Sequence, residues 1–196
     1  KRTVNVISLW KNMDFTRPIV DQLFDDRLLT PIYYGNPGAR GRTQKAVDRE
    51  EIAMLVGKLQ AKSVELNAET AALVPISKAA EKAKVPAITV VHMILGGFLE
   101  RVFRLKGQDG ISAFRVDPAE VKQHAAACMA GLQPAAAFGA LKIPRDVGWR
   151  LVDRCPKEVS LAVHWVVGPD ASHRIPRFEP AVIAEFKARF SHPARI

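Results

Sequence analysis

Cysteine is nearly missing from this chain: Cys128 and Cys155 are the two in 196 residues, with no CxxC pair and no histidine cluster at ligand spacing. That excludes a disulfide scaffold and the usual zinc modules, and points to reduced, buried thiols in a cytoplasmic protein. No apolar run approaches the roughly 20 residues of a membrane span, and the start has no apolar secretory core. Catalytic signatures are missing too: there is no P-loop, no GxSxG and no HExxH. The five histidines, His92, His124, His164, His173 and His192, are scattered. The expectation is a non-enzyme with no cofactor, no bound metal and no membrane partner. The chain starts at Lys1 rather than Met, which reads as a piece of something longer or a trimmed chain.

What is present is a globular composition, 48% apolar and 25% charged, with a net charge of +9. Such a balance seeks an anionic partner, nucleic acid first and a membrane surface second. The more telling feature is repetition. Phe15-Thr16-Arg17-Pro18, Val85-Pro86-Ala87-Ile88 and Ile143-Pro144-Arg145-Asp146 each open a ten-residue stretch that closes on two apolar residues. Downstream, at near-equal distance, come Val47-Asp48, Val116-Asp117-Pro118 and Phe178-Glu179-Pro180. An acid followed by Pro is a helix start, because the carboxylate caps free N–H groups and Pro suits the first helical position. Two independent signals at similar spacing imply three copies of one small unit.

The middle copy is the easiest to read. Ile76, Ala79, Ala80 and Ala83 recur at helical spacing, a turn follows at Lys84-Val85, and a second helix runs from Pro86 to a stop at Gly96-Gly97. Strand-like stretches 98–105 and 111–116 then flank the turn Lys106–Gly110, making a hairpin, or wing. Closing helices are expected at Asp48–Lys62, Asp117–Met129 and Glu179–Phe190, with linkers at Ser63–Ala72 and Ala125–Gly131. The linkers are not Gly/Ser-rich, so the units are not freely jointed. Trp10, Trp149 and Trp165 fall on apolar periodicities and read as core. The fold class is therefore α+β, mainly helical: three tandem winged helix-turn-helix units over residues 1–64, 72–130 and 131–196.

The third copy resembles the winged helix-turn-helix of excisionase and MerR-type proteins. Leu141-Lys142-Ile143-Pro144-Arg145-Asp146-Val147-Gly148-Trp149-Arg150-Leu151 carries the likeness, with Arg174-Ile175-Pro176-Arg177-Phe178 closing the wing. Tandem copies in one chain are also similar to the C-terminal target-DNA region of TniQ-type transposition proteins, although the zinc-binding part of those proteins has no counterpart here. The resemblance implies DNA recognition, with the second helix of each unit in the major groove and the wing on phosphate or in the minor groove.

On that basis Arg145, Arg150 and Arg154 are the candidate readers of the third unit, with His173, Arg174 and Arg177 on its wing. A bidentate Arg145–guanine pair would carry the most specificity. The middle unit offers Thr89 and His92 on its helix and Arg101, Arg104 and Lys106 on its wing. For His92, with no acidic partner in view, the alternative is a solvated surface residue. The first unit offers Arg17 on its helix and Arg40, Arg42 and Lys45 on its wing, but Asp21, Asp25 and Asp26 there repel phosphate. That helix reads equally as one that packs on another module or on a protein.

The resulting expectation is sequence-specific binding of double-stranded DNA at an asymmetric site of roughly 20–30 base pairs, in transcription regulation or in recombination and transposition. The alternative is an interaction module that docks on a recombinase, transposase or polymerase.

Overall fold

The computed structural model describes residues 2–12, 16–35 and 43–190 as an α+β chain, mainly helical, with its strands in small sheets. The first segment runs β1 (Thr3–Asn5), α1 (Val6–Asn12), α2 (Arg17–Asp25), β2 (Ile32–Gly35), β3 (Thr43–Asp48) and α3 (Arg49–Ala61). The second runs β4 (Val64–Leu66), β5 (Val74–Pro75), α4 (Ile76–Ala83), α5 (Ala87–Leu95), β6 (Val102–Leu105), a 3-10 turn at Ile111–Ala113, β7 (Phe114–Val116) and α6 (Pro118–Met129). The third runs α7 (Pro134–Ala140), α8 (Arg145–Asp153), β8 (His164–Val167), β9 (Arg174–Arg177) and α9 (Pro180–Phe190).

The three segments repeat in register as well as in order. In each, the stretch before the first helix pairs antiparallel with the end of the hairpin: Val4 lies opposite Val47, Val74 opposite Val116, and Leu132 bridges Phe178. The turn before the second helix also recurs. Lys84 and Lys142 both adopt φ 57°, and the next N–H reaches back five residues, Val85 to Ala80 and Ile143 to Phe138. The second helices α2 and α5 end alike, with a left-handed residue (Arg27, φ 60°; Gly97, φ 68°) followed by a backward bond from Leu28 to Leu23 and from Phe98 to Met93. This is the Schellman closure, for which glycine is the usual residue. Acid caps start the closing helices: Asp48 accepts from the Glu50 N–H at 3.0 Å and Asp117 from the Ala119 N–H at 2.8 Å. Such a cap contributes about 1 kcal/mol.

Three local expectations are corrected. The stretch 63–72 is not only a linker, because its β4 adds parallel to β6, with Val64 opposite Phe103. The strand expected from residue 98 starts at Val102, and Ile111–Ala113 is a 3-10 turn rather than strand. Trp165 is 39% exposed, stacked on buried Trp149 with ring centroids 6.5 Å apart, so it covers the core instead of filling it. The side chain of Trp10 lies outside the described residues.

One apolar cluster serves the first two segments and extends to Ile175 on β9. A second lies within the third segment, where Phe138 meets Trp149 and Phe178 edge-on at 5.5 and 5.3 Å. The clusters are tied by Trp149, whose indole N–H donates to the Asp25 carbonyl at 2.9 Å, and by the hairpin β8–β9. Among the described residues, no helix is long and apolar enough to cross a membrane.

Candidate nucleic-acid interface

Helix α5 carries Ala87, Ile88, Val90, Val91, Met93, Ile94 and Leu95, apolar on every side, and a helix of that composition belongs inside a protein. Every residue from Ile88 to Leu95 is buried. Thr89 and His92, expected as DNA readers, are therefore both fully buried. The Thr89 hydroxyl lies 3.4 Å from Met129 Sδ and accepts from Gln133 at 3.3 Å. His92 does have an acidic partner: its Nε2 is 2.7 Å from Asp26, and its Nδ1 is 2.8 Å from His173 Nε2. Asp26 ends α2, His92 lies on α5 and His173 precedes β9, so one hydrogen-bonded chain joins all three segments. From Ile88 to Leu95 the α5 helix thus has no exposed side chain with which to meet a groove.

The third hairpin is also turned inward. A Cβ at Gly168 would collide with the Gly96 backbone, Asp170 pairs with Lys62, and the Ser172 hydroxyl donates to the Leu95 carbonyl at 3.2 Å. His173 stacks on His92 with centroids 5.1 Å apart. Burial, then the neighbouring His92 and Lys58, push its pKa down to about 4. Arg177 is fully buried, donating to the carbonyls of Cys128 at 2.7 Å and Pro176 at 2.9 Å. Burial lowers its pKa, and Asp26 partly offsets that. His173, at the docked hairpin tip, and Arg177, buried at the end of β9, thus both leave the expected DNA surface.

On the second hairpin the cations are already matched. Arg101 pairs with Asp117, Arg104 with Glu65 at 2.9 Å, and Lys106 lies 3.8 Å from Glu65. Exposed pairs of this kind contribute little to stability, but they weaken the local positive field. Lys45 with Asp21 and Arg150 with Asp146 are matched in the same way, so pairing alone does not separate one set of cations from the other.

Arg145, expected to read guanine, faces the first segment. It donates to the Tyr33 hydroxyl at 3.0 Å, lies 3.6 Å from Asp25 and sits over the Phe24 ring at 5.5 Å. Burial raises the pKa of Asp25, an effect that Arg145 opposes. Arg150 is exposed on α8 and bonded along the helix to Asp146 at 3.1 Å, and Arg154 is exposed just past the end of α8. Arg174 is exposed on β9, and Arg17 is exposed at the start of α2. Lys45 is exposed on β3, 3.9 Å from Asp21. Arg40 and Arg42 lie outside the described residues.

The Arg145–Tyr33 contact places the hairpin β2–β3 against the start of α8, and between them opens a cleft of about 850 Å³. Arg27, Thr30, Tyr33, Arg145 and Trp149 line it. The Arg27 guanidinium lies 4.0 Å above the Trp149 ring and pairs with Asp153 at 2.6 Å. Sequence reasoning misses Arg27, Thr30 and Tyr33. A signal exists for Arg27, a bulky residue where the sibling turn has Gly97; none exists for Tyr33, whose neighbour is far along the chain. No protein-family model, curated protein or solved structure matches this chain.

Proposed function

We propose that this chain is a cytoplasmic binder of double-stranded DNA, built from three winged helix-turn-helix segments and acting without catalysis. The repeated registers support the segment assignment, and the net charge of +9 supports an anionic partner. The observation that carries the reading is the Arg145–Tyr33 contact, because it makes one surface of an exposed helix and an exposed hairpin. That pairing of elements is what a winged reader presents to a groove and its flanking backbone. Arg150 on α8 and Arg154 just past its end supply groove or phosphate contacts, and Lys45 supplies a backbone contact. The α5 helix is structural, so the footprint is nearer one helical turn, about 10 base pairs, than three.

A second reading is favoured by one observation. Strand β2 is a sheet edge with Ile32, Tyr33 and Tyr34 all exposed. Such an edge accepts an extended partner segment by strand addition, as docking on a recombinase, transposase or polymerase would require.

Fluorescence anisotropy with labelled duplex DNA across a salt series separates the two. The DNA reading expects affinity that falls steeply with salt and drops in Arg150→Gln and Lys45→Gln. Absence of binding at low salt overturns it and leaves the strand-edge reading.

A further inference from the structure

Tyr33 lies directly opposite Lys45 in the β2–β3 ladder. Opposed residues of an antiparallel pair project from the same face of a sheet. Tyr33, 53% exposed, lines the cleft, and Lys45 stands beside it on the sheet with its ammonium group 3.9 Å from Asp21. Inside are further planar groups: the Arg27 guanidinium over Trp149, and the Arg145 guanidinium over Phe24. Thr30 adds a hydroxyl at the wall.

These parts match one ligand chemistry. Aromatic rings and guanidinium planes stack on the face of an unpaired nucleobase, and a neighbouring lysine meets its phosphate. A base inside a duplex offers no free face, because its neighbours cover both sides. At about 850 Å³ the cleft falls in the range of sites that enclose small molecules. The local acids are each matched by a cation, Asp25 by Arg145, Asp153 by Arg27, Asp146 by Arg150 and Asp21 by Lys45, which lowers the attraction for free phosphate and leaves stacking as the main contact.

Arg27 holds φ 60° in a turn whose sibling carries Gly97 at φ 68°, a conformation that glycine adopts without cost and that Lys84 and Lys142 share in their own turns.

We propose that the cleft between β2 and α8 binds an unpaired nucleobase of single-stranded DNA, stacked on Tyr33 and Arg27, with Lys45 on its phosphate. The proposal extends the nucleic-acid reading above, and it stands or falls separately from duplex binding.

The test is anisotropy of a labelled 12-nucleotide oligothymidylate against a blunt duplex, with three variants. Tyr33→Ala should weaken oligothymidylate binding about tenfold or more, while Tyr33→Phe, which keeps the ring, should stay within about threefold. Arg27→Gly removes the guanidinium at a position whose backbone favours glycine, so the fold is kept; it should also weaken single-strand binding about tenfold and leave duplex affinity unchanged. Thermal melts of all variants confirm folding. Oligothymidylate binding without duplex binding upholds the cleft and removes the duplex reading. Duplex binding without oligothymidylate binding, or single-strand affinity within twofold of wild type in both Tyr33→Ala and Arg27→Gly, overturns the proposal and returns the cleft to a peptide bound along the β2 edge.

Discussion

His92 is bonded to Asp26 at 2.7 Å across 66 residues of sequence, with both side chains buried in an otherwise apolar core. A ring nitrogen that faces a carboxylate carries the proton, so this contact is a charge-assisted bond in a region of low dielectric. Such bonds add modest net stability when intact, and their half-removal is expensive. Asp26→Ala leaves the ring N–H unsatisfied and is therefore expected to destabilise the fold by about 1–3 kcal/mol. Asp26→Asn keeps an acceptor for the ring N–H and should cost less. Urea denaturation of both variants checks the ranking; equal losses would show that the carboxylate charge, not the bond, is what matters.

Acid should weaken the protein through His173. Its folded pKa is about 4, below the ordinary histidine value of 6.5, because burial and the neighbouring His92 and Lys58 disfavour the charged ring. Between those two values the unfolded chain binds a proton that the folded chain does not. Stability from this group is complete above pH 6.5, falls as the pH drops through that window, and changes no further below about 4. Denaturation midpoints between pH 7 and pH 4 should show the decline, and His173→Gln should flatten part of it.

Gly168 is the steric key of the third hairpin. A methyl group there meets the Gly96 backbone, which has no side chain to move aside. Gly168→Ala is expected to cost about 1–3 kcal/mol as overpacking. It should also raise hydrogen exchange at 168–173 and at the end of α5. A variant as stable and as protected as wild type would mean the hairpin tip docks less tightly than described.

Among the α8 arginines, Arg150 should matter most for DNA. Arg145 is engaged with Tyr33 and Asp25, whereas Arg150 is bonded only along its own exposed helix face. Arg150→Ala is expected to cost about 1–3 kcal/mol on a preferred site if it reads a base. Arg145→Ala should show mainly as reduced stability, since it leaves the half-buried Asp25 uncompensated. A larger DNA defect in Arg145→Ala would restore it as the principal reader and imply that the bond to Tyr33 opens on binding.

Arg40 and Arg42 sit in Pro37-Gly38-Ala39-Arg40-Gly41-Arg42, which has no apolar anchor. Replacement of both by Ala should weaken binding to all duplexes by a similar factor. The salt slope should fall by about 0.9 for each phosphate that the variant no longer neutralises. A defect confined to one preferred sequence would instead indicate base readout.

The legible parts of this molecule were the local ones. Asp48 and Asp117-Pro118 announced their helices because a cap is a chemistry of three consecutive residues. Lys84 and Lys142 fell in matching turns because both follow a small-residue helix and precede Val85-Pro86 or Ile143-Pro144. The relations between segments were not legible, since Asp26, His92 and His173 meet only after the chain has closed on itself. Two misplaced sets of residues did leave a trace. The α5 sequence is apolar all round, which already argued that Thr89 and His92 lie inside. Arg177 shares a strand face with Ile175, an apolar residue and so a core candidate, although β9 is buried on both faces from Ile175 to Arg177. Strand β4, only Val64–Leu66, is too short for any period to register.

The inward-facing α5 has a consequence for ancestry. If the three segments arose by duplication, the middle copy has exchanged its outward helix for a place at the hub, and its neighbours have grown side chains that fit only there: Asp26 from one side, His173 from the other. A segment in that position is no longer a spare part. It tolerates drift on its hairpin, where Arg104 and Lys106 need only Glu65, but its second helix is answerable to both neighbours at once. Loss of the middle copy would strand Asp26 and His173 together, and loss of either neighbour would leave one nitrogen of His92 without its partner, so no copy can be exchanged without cost to another.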